Sequence, residues 1–419
     1  MMNAESSTHT PEGKLDAFEG LRGLASLAVL LSHLIIAFWP VLYNPGHPLM
    51  ANYPGWAQAL TEGPTRVMID GQHAVVGFFL LSGFVLSLGY FRRPTTEVLS
   101  SAAARRYLRL MLPASVSVIL GYYAMKWGWM HNQRAAAHMT QLLGMPHTWL
   151  RIFYNFDPDM LSPACEAGWY TFFVGRCYYN ANLWTMSVEL TGSFLVYAFL
   201  ALFGNLRWRV IFYIAVAVVM TFSARFFMLH FLIGVAVADV YVARERGGWR
   251  FRIPALVGLA LAGLAIYIVS QKAILENYTI LETKVAKSLV AESISGVILL
   301  VTTAFCPALQ WVFSRRPFVL LGKLSFMLYI THLIVICSLG CYLYLKLQGE
   351  QGMSHHTAAL WSSGATIAVS FGISCLMYLA VDRPSVTLGS LLYKKWFRHQ
   401  AAMPTASAER PRLRLVKAA

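Results

Sequence analysis

The sequence predicts an all-α, polytopic integral membrane protein with about ten transmembrane helices and both termini in the cytoplasm. Three observations predict it. Hydrophobic residues make up 57% of the 419 residues and charged residues 13%, with a mean hydropathy of +0.53, a balance foreign to a soluble domain of this length. The apolar residues gather in runs of about 16 to 25, long enough for a helix to cross roughly 30 Å of hydrocarbon. Basic residues cluster in alternate connections, as cytoplasmic loops do.

The runs fall near 20–40, 73–91, 107–127, 183–203, 208–222, 225–242, 253–270, 287–313, 319–346 and 357–381. Lys14 precedes the first run, Arg92, Arg93, Arg105 and Arg106 lie between the second and third, and Arg109 opens the third. Arg207 and Arg209 follow the fourth, Arg244, Arg246, Arg250 and Arg252 the sixth, and Arg315 and Arg316 the eighth. The opposite connections mix few positive charges with acids such as Glu62, Asp70, Asp157, Asp159, Glu166, Glu276 and Glu282. Only Ser223, Ala224 and Arg225 separate the fifth and sixth runs, but merging them would put the basic loop 243–252 or the basic tail on the acidic side. Residues 1–14 read as a disordered cytoplasmic tail, 15–390 as the membrane domain and 391–419 as a basic cytoplasmic tail. The first apolar run is too long, and starts too late, for a cleavable signal peptide.

The net charge of +15 belongs to residues that border spans, so it predicts contact with membrane lipid and no nucleic-acid partner. No Cys/His spacing suits zinc, and there is no His-Glu-x-x-His, Gly-rich phosphate loop or Gly-x-Ser-x-Gly elbow, so no metal is expected. Cys306, Cys337, Cys341 and Cys375 sit inside spans as small apolar packing, while Cys165 and Cys177 share an external loop and could pair in an oxidising space. The external loops 41–72 and 128–182 are long and rich in aromatic residues, Pro and Gly. Trp149, Trp169, Tyr170, Tyr178 and Tyr179 suit either an interfacial belt or a stacking platform for sugars.

Chemistry is concentrated in polar residues within or beside the spans. Arg22 and His33 are eleven helical steps apart, which puts both on one face about 16 Å apart along the axis. A buried ionisable group costs on the order of 3 kcal/mol, so His33 serves either a functional site or helix packing through a hydrogen bond. Ser82, Arg106, Arg109, Ser187, Glu189, His230, Asp239, Glu292, Lys323 and His332 extend the set, and buried charges need partners, so several should converge on one polar core. His33 with a carboxylate such as Glu189 would make a base and its orienter. Arg106 and Arg109, three apart on one helix, suit an anionic ligand.

In order along the chain, Leu15 to His33 contains Arg22, ten residues, then His33; Phe78 to Phe84 reads Phe-Phe-Leu-Leu-Ser-Gly-Phe; and Arg106-Tyr107-Leu108-Arg109 follows. Leu183 to Leu190, Leu321 to His332 and Asp382-Arg383-Pro384 complete the series. These segments resemble the acyltransferase 3 family of integral-membrane acyltransferases, over about residues 15–384. Thr185 stands where that family usually has Ser, and Asp382 where it has Glu, and both keep the polar chemistry.

The resemblance implies a ten-helix enzyme moving an acyl group, often acetyl, from a cytoplasmic acyl-coenzyme A donor to a hydroxyl of an extracytoplasmic or lipid-linked carbohydrate or glycosylated metabolite. It implies Arg22 and His33 as the essential pair, Glu189 beside them, and Arg106, Arg109 and Ser82 toward the donor. Tyr329, His332 and Lys323 are further candidates in support, and a bacterial cytoplasmic membrane is the implied setting. Whether His33 is a general base or an acyl carrier stays open. The alternative is a proton-coupled transporter or lipid-linked-sugar flippase, which a discontinuous span or an internal repeat would mark.

Overall fold

A computed structural model describes residues 13–43, 47–61, 63–223, 225–247, 251–271 and 284–397, and these contain helices and connections with no strand among them. Every predicted run is mainly helical where described. The helices that position the site are α1 (Gly13–Phe38), α2 (Gly71–Arg92), α3 (Thr96–Lys126) and α4 (Asn132–Leu143). They continue with α5 (Trp184–Phe203), α6 (Arg209–Phe222), α7 (Phe226–Gly247), α8 (Ala255–Ser270) and α9 (Lys284–Phe305). The series closes with α10 (Pro307–Phe313), α11 (Arg316–Val335), α12 (His355–Met377) and α13 (Arg383–Phe397). Of the predicted tails, residues 1–12 and 398–419 lie outside the described residues, and 391–397 belong to α13.

Among the described residues, 7 helices are long and apolar enough to cross a membrane. They are Leu15–Phe38, Gly71–Arg92, Thr96–Lys126, Ala181–Phe203, Phe226–Gly247, Arg316–Glu350 and His355–Lys395. The two runs 208–222 and 253–270 form α6 and α8, apolar but only 14 and 16 residues long.

The run 287–313, expected as one straight span, is instead bent by 98° between α9 and α10. Pro307 has no amide hydrogen to donate, and its ring drives Cys306 out of helical space to an extended backbone (φ −104°, ψ 108°). The carbonyls freed by the break are satisfied within the protein: Ile253 N donates to Phe305 O at 2.9 Å, and Gln310 Nε2 to Ala304 O at 2.8 Å. A broken span was the feature expected of a transporter, but here its open backbone is closed by protein donors.

In hydrocarbon no hydrophobic force draws helices together, so close backbone approach supplies the packing. Gly23 of α1 lies against α11 so closely that a Cβ on it would stand 2.5 Å from the amide nitrogen of Gly322 and 2.8 Å from the carbonyl carbon of Leu321. Gly83 of α2 meets the backbone of Phe231 on α7 in the same way. These contacts explain the glycines in two of the motifs, and they bring Arg22 and Ser82 close to residues on other helices.

Two π-helical turns interrupt long helices beside the site. Ile336–Gly340 follows α11, a few residues beyond His332, and Tyr378–Asp382 joins α12 to α13.

The loop 128–182 is folded. It contains α4, a short helix Thr148–Arg151, and the turn Ser162–Cys165, which runs into a π-helical segment Glu166–Val174. Glu166, 1% exposed, accepts hydrogen bonds from the backbone amides of Tyr178 (2.9 Å) and Tyr179 (3.0 Å). Burial pushes its carboxyl above the ordinary carboxylate range, while the amides of Tyr178, Tyr179 and Asn180 pull it back down.

Gly23→Leu is expected to cost about 2 kcal/mol or more, because the added atoms meet backbone that cannot rotate away. Thermal unfolding of the solubilised protein should show a clear drop in midpoint for this variant. Gly263→Leu, with open space around its Cβ position, should leave the midpoint unchanged.

Candidate functional site

α1 and α11 run side by side in the same direction, because Arg22 meets Gly322 and Ser325 while His33 meets His332. Two polar centres form along this seam.

The first is a cavity of about 140 Å³ lined by Arg22, Ser82, Arg106, Arg109, Glu189 and Tyr329, with Thr185, Ser325, Asp382 and apolar residues completing the wall. Arg22 donates through Nε to Ser325 Oγ at 3.0 Å and through Nη2 to Glu19 Oε2 at 2.7 Å and the Gly322 carbonyl at 3.2 Å. Arg106 pairs with Glu189 and donates through Nε to Ser193 Oγ at 2.8 Å. Ser82 Oγ donates to the same Glu189 oxygen at 2.6 Å. This pair is largely buried, so its extra hydrogen bonds offset the cost of desolvating both ions.

Arg109 lies one turn from Arg106 on α3 and also lines the cavity, yet no described side chain or carbonyl accepts a hydrogen bond from it. Its nearest compensating charges are Asp382 and Glu19, against the like charges of Arg106 and Arg22. Arg109 is exposed, and its guanidinium fork faces the cavity in a form suited to a phosphate or carboxylate.

The second centre is a pair of imidazoles. His33 Nδ1 lies 2.8 Å from His332 Nε2, and His332 Nδ1 lies 2.7 Å from the Leu328 carbonyl. Asn182 Nδ2 reaches His332 Nε2 at 3.2 Å and the Tyr329 carbonyl at 3.0 Å. Trp149 from the folded loop packs on His33, with ring centroids 5.3 Å apart. Tyr329 connects the two centres: it lines the cavity, its hydroxyl is 3.0 Å from Thr185 Oγ1, and its ring lies 6.2 Å from that of His332.

Placement thus departs from the sequence reading in several respects. Glu189 is engaged by Arg106 and Ser82, and the partner of His33 is His332 rather than that carboxylate. Lys323 is exposed and does not line the cavity. Several of the polar residues do converge, with Arg22, Ser82, Arg106, Arg109 and Glu189 lining one cavity, but others lie apart from it: Asp239 pairs with Arg209, and His230 Nε2 lies 2.8 Å from Ser293 Oγ on α9, the helix that carries Glu292. Cys165 and Cys177 are free thiols, and burial pushes the Cys177 thiol up to about 12, which keeps it protonated and unreactive. Among the loop aromatics, Trp169, Tyr170 and Tyr178 are exposed, Tyr179 is buried, and Trp149 alone reaches His33. No group of three or more His, Cys, Asp or Glu that could hold a metal occurs among the described residues.

Sequence reasoning missed Asn182, Ser193 and Glu166 as site or supporting residues. Ser193, one turn after Glu189 on the same helix, carried a detectable signal. Asn182 and Glu166 did not, since both lie in connections whose path no periodicity predicts.

No solved structure matches this chain. The acyltransferase R4 of Phoma sp. is 24% identical over 454 aligned residues, covering 92% of this chain and 97% of that protein. The acyltransferase clz18 of Cochliobolus lunatus is 27% identical over 237 residues, covering 45% of this chain and 49% of its own. A family model described as an acyltransferase domain, that of the acyltransferase 3 family, matches residues 15–379, so the chain belongs to this family and is a membrane acyltransferase.

Proposed function

We propose that the protein moves an acyl group, acetyl in the first instance, from a cytosolic coenzyme A thioester to a hydroxyl of an extracytoplasmic or lipid-linked carbohydrate or glycosylated metabolite. The observation that carries this reading is the free guanidinium of Arg109 in a cavity that adjoins the His33–His332 pair through Tyr329. Arginines at one end suit the donor's phosphates, and an imidazole at the other suits its thioester.

In this reading Arg109, with Arg22 and Arg106 held by Glu19, Ser325, Glu189 and Ser193, binds the donor. Glu189 holds Arg106 in place. His33 takes the proton from the acceptor hydroxyl as its oxygen attacks the thioester carbonyl, then returns a proton to the departing thiolate. Of the candidate oxyanion donors, Ser82 gives its hydrogen to Glu189 and His332 Nδ1 gives its own to Leu328. Tyr329, whose hydroxyl accepts from Thr185, keeps its hydrogen for the tetrahedral oxyanion. Trp149 beside His33 suits a stacking wall for a sugar acceptor.

The topology we propose counts α6, α8 and the bent α9–α10 pair with the longer helices, giving ten spans within residues 15–390. Both termini and the arginine end of the cavity then face the cytosol. A bacterial inner membrane fits this orientation, as does any membrane with a cytosolic face.

Purified protein in lipid should release free thiol from acetyl-coenzyme A, and His33→Ala should abolish that release while retaining its thermal midpoint. Thiol release that persists in His33→Ala would remove His33 from the chemistry. Arg109→Ala should raise the acetyl-coenzyme A KM about 10- to 100-fold, the value of one or two charge-assisted hydrogen bonds, with kcat within about threefold of wild type. Steady-state kinetics of the two proteins side by side would check this split.

A further inference from the structure

We propose that Asn182 is a positioning residue that fixes His332, and through it the hydrogen pattern of His33, so that Nε2 of His33 is the nitrogen presented as the base. The inference rests on the acyl-transfer reading above and assigns the atoms by which it works.

The Leu328 carbonyl can only accept, so the hydrogen between it and His332, at 2.7 Å, sits on His332 Nδ1. A neutral imidazole protonated at Nδ1 has a lone pair at Nε2, so His332 Nε2 is an acceptor. The Tyr329 carbonyl likewise only accepts, which orients the Asn182 amide with Nδ2 toward it, at 3.0 Å. The second hydrogen of Nδ2 then points to His332 Nε2 at 3.2 Å. His33 Nδ1, 2.8 Å from the same nitrogen, must also donate. A neutral His33 with its hydrogen on Nδ1 has its lone pair on Nε2.

Asn182 is itself held. Its backbone amide donates to Asn180 Oδ1 at 3.3 Å, and Asn180 Nδ2 donates to the Ile330 carbonyl at 2.6 Å and to Ser117 Oγ at 3.0 Å. Glu166 grips the two residues before Asn180 by their amides. Three residues within one turn of α11 are thus addressed from this one connection: the Ile330 carbonyl by Asn180, and the Tyr329 carbonyl and His332 Nε2 by the Asn182 side chain. Both Asn182 and His332 are buried, so water does not compete for these hydrogens.

During transfer, the acceptor O–H bond breaks with its proton moving to His33 Nε2, a C–O bond forms, and the C–S bond breaks as its electrons leave on sulfur. The thiolate then takes the proton from His33 Nε2. Throughout, His33 Nδ1 keeps its hydrogen, and His332 Nε2 accepts it more strongly while His33 is a cation.

The test uses the full-length protein in lipid with acetyl-coenzyme A as the probe and thiol release as the readout. Asn182→Asp places an acceptor-only carboxylate against His332 Nε2, which must then carry a hydrogen and can no longer accept from His33. We expect kcat to fall at least 100-fold with the acetyl-coenzyme A KM within threefold, and Asn182→Ala to fall by about tenfold. His332→Gln puts a carbonyl oxygen near the position of Nε2 and should retain at least ten times the activity of His332→Leu, which offers no acceptor. Wild-type protein that releases no thiol overturns the acyl-transfer reading itself. Wild-type release that Asn182→Asp retains within threefold overturns the role of Asn182 and leaves that reading standing. If Asn182→Asp does not fold, as judged by its thermal midpoint, the His332 pair decides, and equal activity of the Gln and Leu variants overturns the proposal.

Discussion

The contact on which the site depends is the backbone-to-backbone seam between α1 and α11 at Gly23 and Gly322. With no Cβ on either helix there, the two run parallel at a distance where Arg22 hydrogen-bonds the Gly322 carbonyl and His33 bonds the ring of His332. One seam therefore sets both ends of the site.

Burial of charge explains the rest of the cavity wall. A guanidinium in a low-dielectric interior must be paired or hydrogen-bonded, and Arg22 and Arg106 are both. The wall spends two carboxylates, Glu19 and Glu189, on these two arginines, and leaves Arg109 to face the cavity with the Asp382 carboxylate among the lining groups. Arg109 thereby offers its donor fork to an anion, with Asp382 and Glu19 as its opposing charges. The π-helical turn Tyr378–Asp382 ends at that carboxylate, which lines the wall.

The connection 128–182 acts as a second scaffold rather than a tether. Its buried Glu166 organises the backbone at Tyr178 and Tyr179, the following asparagines cap carbonyls of α11, and Trp149 covers His33. A loop that supplies hydrogen bonds to a transmembrane helix must itself be rigid, and burial of its Glu166 carboxylate under backbone amides provides that rigidity.

Much of this was legible from residues alone. Apolar run length and the distribution of arginines determine an all-helical membrane protein, and the eleven-residue spacing puts Arg22 and His33 on one face, because helical period is a local property of the chain. The pairing of Arg106 with Arg109 was legible for the same reason, and so were the family motifs. What only the tertiary structure decided is which groups meet across helices. His33 pairs with His332 and not with Glu189, Lys323 falls outside the cavity, and the span 287–313 breaks at Pro307. Asn182 enters from a connection. Partner choice depends on helix order, on the depth of each side chain along its neighbour, and on where glycines let backbones touch, and none of these is encoded in the period of any single segment.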